Sequence, residues 1–125
     1  MKIKSYRDLK VWQVGMEIAA MVYGLTEKFP KQEAYGLTSQ VQRAAVSIPS
    51  NIAEGHARDS TKEYLRALSI ARGSLAELET QLLLSESLGY LTNVDLESVL
   101  SKAAEIGKML NALQQSLKTT LTPSP

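Results

Sequence analysis

Four stretches of the sequence place apolar residues at alternating spacings of three and four, the pattern of a helix that buries one face. The third stretch is the most regular, because its apolar positions follow a strict heptad seam. The four seams are Val11, Gly15, Ile18, Val22, Leu25 and Phe29; Leu37, Val41, Ala44, Ile48 and Ile52; Tyr64, Leu68, Ala71, Leu75, Leu78 and Leu82; and Leu96, Val99, Ala103, Ile106, Leu110, Leu113 and Leu117. The pattern therefore predicts an all-α fold of four helices.

Cap and stop signals set the helix ends. The first helix is expected to begin near Ser5 or Arg7 and to end at Phe29, because a proline follows. Ser60 and Glu63 have the spacing of a capping box, in which the serine hydroxyl and the glutamate carboxylate each accept a backbone N–H. The third helix is therefore predicted to start at residue 61.

Short connections decide the predicted topology. Gly89 stops the third helix after about residue 88, and Thr92 or Asn93 caps the fourth. Linkers of this length force antiparallel neighbours, which gives an up-down-up-down, left-handed four-helix bundle. Residues 1–118 are predicted to form this single domain, and residues 119–125 to form a flexible C-terminal tail.

The second helix contains Pro49 in its interior, where a proline removes one backbone hydrogen bond and crowds the carbonyl of Ala45. Two outcomes are possible. Either a helix ends near residue 46 and a new one starts with Ser47 as its N-cap, or one helix continues with a kink at the proline. The apolar seam keeps its phase from Val41 to Ile52. A loop would not preserve that phase, so the kinked helix is favoured.

A polar row lies on the opposite side of the same helix. Arg43, Ser47, Asn51 and Glu54 follow one another at helical spacings of four, four and three. Serine and asparagine are unusual in an exposed helix interior, because their side chains compete for backbone groups. The favoured interpretation is structural: the row satisfies carbonyls near the proline or pairs across a contact. The alternative is a site for a polar or anionic ligand centred on Arg43 and Asn51.

Four glycines stand in or beside the helical patterns. Gly55 follows the polar row and is predicted to adopt a left-handed conformation at the end of the second helix. Gly15, Gly73 and Gly107 lie in helix interiors, where glycine costs about 1 kcal/mol relative to alanine. These three are therefore expected to mark places where another backbone approaches closely.

The first helix has a wider apolar face than one core seam needs, because Trp12, Met16, Ala19, Ala20 and Tyr23 lie beside the seam. Either the helix is deeply buried, or a second face contacts another subunit. The aromatic residues at positions 6 and 12 could stack nucleic-acid bases, but core or interface positions are the favoured interpretation. In the connection that follows, residues 35 and 37 are expected to dock back on the first helix.

Three segments also carry a family resemblance: YRDLKVWQ, FPKQEAYGLTSQVQRAAVSIPSNIAEG and IARGSLAELETQL. They resemble the bacterial four-helix-bundle family named after the 23S rRNA intervening-sequence protein, over residues 6 to about 89. The resemblance implies an up-and-down bundle that associates into fivefold rings, and it implies no defined activity. A related accessory protein of diversity-generating retroelements has a similar fold and is thought to bind nucleic acid and a reverse transcriptase.

The charges add a candidate binding surface. The formal net charge is only +1. Residues 1–31 nevertheless hold six basic and three acidic side chains, and a ring would repeat such a patch around its axis. The tentative nucleic-acid-binding residues are Lys2, Lys4, Arg7, Lys10 and Arg43.

Composition narrows the function classes. The 125 residues include no cysteine and one histidine, His56, which is expected to be a solvated loop residue. Thiolate chemistry and a di-metal bundle site are therefore not expected, and neither are a cofactor or an enzymatic activity. No apolar run approaches the roughly 20 residues of a membrane span, so the chain is expected in the cytoplasm. The favoured function is that of an oligomer that binds nucleic acid weakly or with a partner protein, and the alternative is a protein-interaction scaffold.

Overall fold

The computed structural model describes residues 3–121, and residues 1–2 and 122–125 lie outside this range. Four helices dominate: α1 (Lys10–Thr26), α2 (Leu37–Ala57), α3 (Thr61–Ser87) and α4 (Asn93–Leu121). Two short 3-10 turns, Tyr6–Asp8 and Lys31–Glu33, precede α1 and α2. The predicted all-α four-helix fold is confirmed.

Each helix packs against two others, in the cyclic order α1, α2, α3, α4 and back to α1. Contacts between α1 and α2 join Gln42 to Thr26 at one level and Pro49 to Gly15 at another, so these helices run in opposite directions. The other neighbouring helices are also antiparallel, because their contacts show the same reversed order. These contacts are Gln40–Gln81 and Ser47–Ser74 between α2 and α3, Leu75–Gly107 and Ser69–Gln114 between α3 and α4, and Glu17–Lys102 and Lys28–Asp95 between α4 and α1 or the turn after it. This arrangement fits the expected bundle, while the handedness of its crossings stays a prediction.

The apolar seams form the core, as their spacing predicts. All five seam residues of α2 are buried, and so are the α3 seam from Leu68 to Leu82 and the α4 seam from Leu96 to Leu110. The first helix is shorter than expected. Leu9 has an extended backbone that separates α1 from the preceding 3-10 turn, and that turn is closed by a capping box between Ser5 and Asp8.

Pro49 lies inside a continuous helix, because α2 is helical from Leu37 to Ala57. The alternative in which a new helix begins at Ser47 is therefore wrong. The proline is buried, and a Cβ built on Gly15 would lie 3.3 Å from the Pro49 Cβ. The expected close approach at Gly15 is present, and it lets α1 pack directly on the proline ring. A bend at Pro49 stays a prediction.

Two predictions for glycines are wrong. Gly55 lies in the body of α2 and has no positive φ; among the described residues, only Gly89 does, with φ of 80°. A Cβ at Gly55 would lie 2.7 Å from the Ala67 Cβ, so this glycine is needed for close packing of α2 on α3. Gly73 has open space around it and marks no close approach. A Cβ built on Gly107 would lie 3.6 Å from the Leu75 side chain, which is an ordinary contact distance.

The connections and the chain end also differ in detail from expectation. Leu37 is buried as predicted, but Tyr35 is fully exposed and does not dock on α1. His56 belongs to the last turn of α2 and lies edge-on to the Tyr64 ring, with 5.9 Å between centroids, so it is not a loop residue. Helix α4 continues to Leu121, three residues into the predicted tail, and the rest of that tail lies outside the described residues.

Candidate nucleic-acid interface

The predicted nucleic-acid-binding residues that are nearest the N-terminus lie together around the start of α1. Lys4, Arg7 and Lys10 are all exposed. The Arg7 guanidinium lies 5.7 Å from the centre of the Tyr6 ring, which gives it a cation–π contact. Lys2 lies outside the described residues. Three of the five tentative residues therefore form one local basic surface.

Arg43 lies elsewhere. It lines a groove of about 360 Å³ between α2 and α3 together with Gln40, Glu77 and Gln81. The contact of Gln42 with Thr26 places this part of α2 beside the end of α1, whereas Lys10 is at its start. The structure therefore does not bring Arg43 together with the other basic residues.

The polar row of α2 also divides. The Ser47 hydroxyl shares a hydrogen bond of 2.8 Å with the Ser74 hydroxyl of α3. The Asn51 amide donates to both the carbonyl and the hydroxyl oxygen of Ser47, at 2.8 and 2.9 Å. These two residues therefore link α2 to α3. Glu54 instead pairs with Arg58 at 3.4 Å on the exposed surface.

Helix geometry explains why Glu54 cannot engage Arg43. The two residues are eleven positions apart, which is about 16 Å at about 1.5 Å per residue. Arg43 is exposed and has no ion pair or hydrogen bond within the described subunit. The favoured structural interpretation, in which the polar row pairs across a contact, therefore does not apply to Arg43 within its own subunit. A pairing across a subunit boundary stays a prediction.

Replacing Arg43 tests its structural role. We expect Arg43→Ala to change the free energy of unfolding by no more than about 0.5 kcal/mol, because the side chain is exposed and unpaired. A buried ion pair would lose about 3 to 5 kcal/mol in the same experiment. Urea unfolding followed by circular dichroism measures the difference. A loss in the larger range, with a smaller particle mass, would show that Arg43 is buried between subunits.

Charge is separated along the bundle. We define the basic end as residues 3–16, 48–73 and 106–121, and the acidic end as residues 17–47 and 74–105, which the cross-helix contacts place on opposite sides of the bundle's middle. The basic end holds nine basic and four acidic side chains, and the acidic end holds four basic and nine acidic ones. The near-zero net charge is therefore the sum of an excess of about five positive charges at the basic end and an excess of about five negative charges at the acidic end.

An ion-pair cluster marks the boundary between the two ends. Lys102 of α4 lies 2.9 Å from Glu17 of α1 and 3.6 Å from Glu105. The hydrogen bond and charge of Lys102 lower the pKa of Glu17, and the two carboxylates raise the pKa of Lys102. This cluster joins α1 to α4 at the middle of the bundle.

The sequence alone does not predict most of the basic end, because a count of charges along the chain does not show which segments lie together. The antiparallel helices bring distant segments to one end, and its additional basic residues are Arg58, Lys62, Arg66, Arg72, Lys108 and Lys118. The Arg72 guanidinium also has a structural contact, since it donates a hydrogen bond of 3.0 Å to the Gln114 side chain. This surface can be predicted when the four helices are assumed to be antiparallel and the charges are counted separately for the two halves of each helix.

An open apolar groove lies between α1 and α2. It has a volume of about 350 Å³, and its walls include Tyr6, Trp12, Met16, Val46, Pro49 and Ala53. Met16 and Val46 are 46% and 40% exposed, and the Tyr6 and Trp12 rings meet edge to face at 5.3 Å. Of the two interpretations of the wide apolar face, deep burial is therefore wrong for this subunit alone.

Within residues 3–121, no three side chains of the histidine, cysteine, aspartate and glutamate types are grouped as a metal ion would require. No helix over the same range is long and apolar enough to cross a membrane. The arrangement therefore offers two surfaces for intermolecular contact: the basic end and the apolar groove.

The family model described as "23S rRNA-intervening sequence protein" matches residues 7–112. The chain belongs to this family. The match covers all of α1, α2 and α3 and most of α4, so the residues of both surfaces fall almost entirely inside it. The suspected resemblance is confirmed.

A solved structure has a similar fold. It is a protein of unknown function from the S23 ribosomal protein family of Bacteroides thetaiotaomicron VPI-5482, and it is 27% identical to this chain. The similarity covers 83% of this chain and 97% of the other, with a TM-score of 0.77. No curated protein matches. Membership of the 23S rRNA-intervening sequence family therefore supports the fold and leaves the activity undefined.

Proposed function

We propose that this protein is a non-enzymatic subunit of a homo-oligomer whose assembled basic ends bind the phosphate backbone of RNA or DNA. The observation that carries the proposal is the charge separation, with nine basic and four acidic side chains at one end of the bundle. A phosphate backbone binds through many such contacts and does not need one deep site. The protein acts by binding, in the cytoplasm, without a cofactor or metal.

Assembly strengthens this surface. An excess of about five positive charges on one subunit gives a modest field, whereas copies arranged with their basic ends on one side add their fields. The open apolar groove supports self-association, because burying its exposed methionine, valine and aromatic side chains against another subunit would lower the free energy. The family resemblance favours a pentamer as the assembled form.

The proposal predicts an assembled particle with salt-sensitive binding. Light scattering at micromolar concentration should give a mass several times the 13.7 kDa of one chain. A gel shift with labelled single-stranded and duplex RNA should show an affinity that falls by about a thousandfold between 50 and 200 mM salt, for about six phosphate contacts per particle. A mass equal to that of one chain would contradict the proposed assembly. A complete absence of binding at 50 mM salt would contradict the proposed nucleic-acid function.

The second candidate is a protein-interaction scaffold with no nucleic-acid role. The acidic end favours it, because its excess of about five negative charges repels phosphate and limits the orientations in which nucleic acid can approach. Under this alternative the particle assembles normally but binds no RNA or DNA at low salt. The same gel shift therefore separates the two functions.

A further inference from the structure

The turn between α1 and α2 presents an aromatic side chain to solvent. Tyr35 is 101% exposed. The turn itself is held firmly, because the Glu33 carboxylate accepts from the Leu37 backbone N–H at 3.1 Å and from the Tyr90 hydroxyl at 2.8 Å. The Gly36 backbone N–H also donates to the Glu33 carbonyl at 2.9 Å. Tyr35 is therefore displayed on a fixed support and loses little backbone freedom when it binds.

A fully exposed tyrosine on a rigid turn has the properties of an interface anchor. Tyrosine is enriched among residues that dominate binding energy, because its ring buries a large area while its hydroxyl stays hydrogen-bonded. Such an anchor needs an apolar pocket on its partner. Tyr35 lies in the acidic end, so a partner surface with basic residues would complement its surroundings.

The chain itself carries a surface with these properties. The groove between α1 and α2 is apolar, has a volume of about 350 Å³ and is open to solvent. One wall is the Tyr6 ring, and Arg7 lies over that ring at 5.7 Å. The groove therefore offers apolar walls with one basic side chain, Arg7, beside the Tyr6 wall, which complements the surroundings of Tyr35.

Tyr35 cannot reach this groove within its own subunit. Pro49 lies in the groove wall and is thirteen residues beyond Gly36, which corresponds to about 20 Å along α2. The turn that carries Tyr35 is also fixed at the acidic end by its hydrogen bonds to Leu37 and Tyr90. The two surfaces of one chain can meet only between copies.

We propose that Tyr35 of one subunit inserts into the α1–α2 groove of a second copy. This contact is heterologous, because different patches meet on the two subunits, and it leaves each bound pair with one free tyrosine and one free groove. Successive copies then add in the same way and close into a ring when the rotation between them permits. The inference rests on the proposed assembly and specifies its interface.

Single cysteines test the contact directly, because the chain has no cysteine of its own. Ala34→Cys and Met16→Cys proteins, which both keep Tyr35, are mixed, allowed to exchange subunits, and joined with a short bismaleimide crosslinker. We expect a covalent dimer in the mixture and far less in either protein alone. The matched control replaces Ala34→Cys with Val94→Cys, since Val94 is 77% exposed at the same acidic end. Equal crosslinking with the control would overturn the proposal.

A second measurement does not depend on crosslinking. Tyr35→Ala should weaken subunit association about 30-fold, the size expected for loss of an aromatic anchor. The fold of the single subunit should not change, because the side chain is fully exposed within its own chain, so the far-UV circular dichroism spectrum should match that of the wild type. Val94→Ala is the control. If Tyr35→Ala assembles as tightly as the wild type, the interface is wrong but the assembly stands; a monomeric wild type removes both.

Discussion

Gly55→Ala is expected to destabilise the bundle by about 2 kcal/mol, although alanine is the better helix former by about 1 kcal/mol. The added Cβ would lie 2.7 Å from the Ala67 Cβ and 2.9 Å from the Tyr64 ring. Neither neighbour can rotate away, since the first is fixed to the α3 backbone and the second is part of a ring packed on α2. Overpacking of this kind costs about 1 to 3 kcal/mol, and a rigid neighbour places the cost at the upper limit.

Gly73→Ala provides a matched control with the opposite sign. It makes the same chemical change in the interior of α3, where no atom of another helix lies within 4 Å of the new Cβ. We expect a gain of about 1 kcal/mol from helix propensity. The two variants should therefore differ by about 3 kcal/mol in urea unfolding followed by circular dichroism. Equal stabilities would contradict the tight α2–α3 contact at Gly55.

This pair also shows which parts of the fold follow from sequence. The apolar seams predict the core, because burial depends on a periodicity that a single helix already displays. Glycine residues carry no such signal. Gly55 and Gly73 both look like interruptions of a helix, and only the approach of Ala67 distinguishes them. That approach depends on how α2 and α3 are placed against each other, which periodicity alone does not determine.

The candidate surfaces divide in the same way. Lys4, Arg7 and Lys10 are close in sequence, so their grouping could be predicted. Lys62 and Arg66 join the same end only because α3 runs opposite to α2. Arg43 was grouped with the first three by its charge, yet its position along α2 places it at the acidic end. A surface assembled from several helices requires their relative directions as well as their charges.

The polar row illustrates a different limit. Helical spacing correctly places Ser47 and Asn51 one turn apart, and the structure joins them by a hydrogen bond. Spacing also puts Arg43 and Glu54 on the same face, but about 16 Å of helix separates them. Residues that share a face do not necessarily share a site, because contact along a helix extends only about one turn.

Charge reversal at the basic end should have the largest effect on nucleic-acid binding. The variant is Lys62→Glu with Arg66→Glu, since both side chains are exposed and neither takes part in an ion pair within residues 3–121. Loss of at least two of the about six phosphate contacts per particle should lower the affinity at least about 30-fold at 0.15 M salt and reduce the salt slope by at least about 2. The helix should survive, because position 62 lies in the first turn of α3, where acidic residues are favourable, and position 66 is exposed.

The control carries the same change of charge at the other end of the bundle. Lys28→Glu with Lys31→Glu lowers the net charge of each subunit equally, so any nonspecific effect of charge on binding or solubility is matched. The control also removes the exposed 3.9 Å ion pair of Lys28 with Asp95, a kind of pair that contributes little to stability. If phosphate binds at the basic end, the control keeps most of its affinity and its salt slope, because the substituted residues lie far from the contacts. Equal losses in both variants would show that binding depends only on total charge. A loss confined to the control would place the nucleic acid at the opposite end of the bundle.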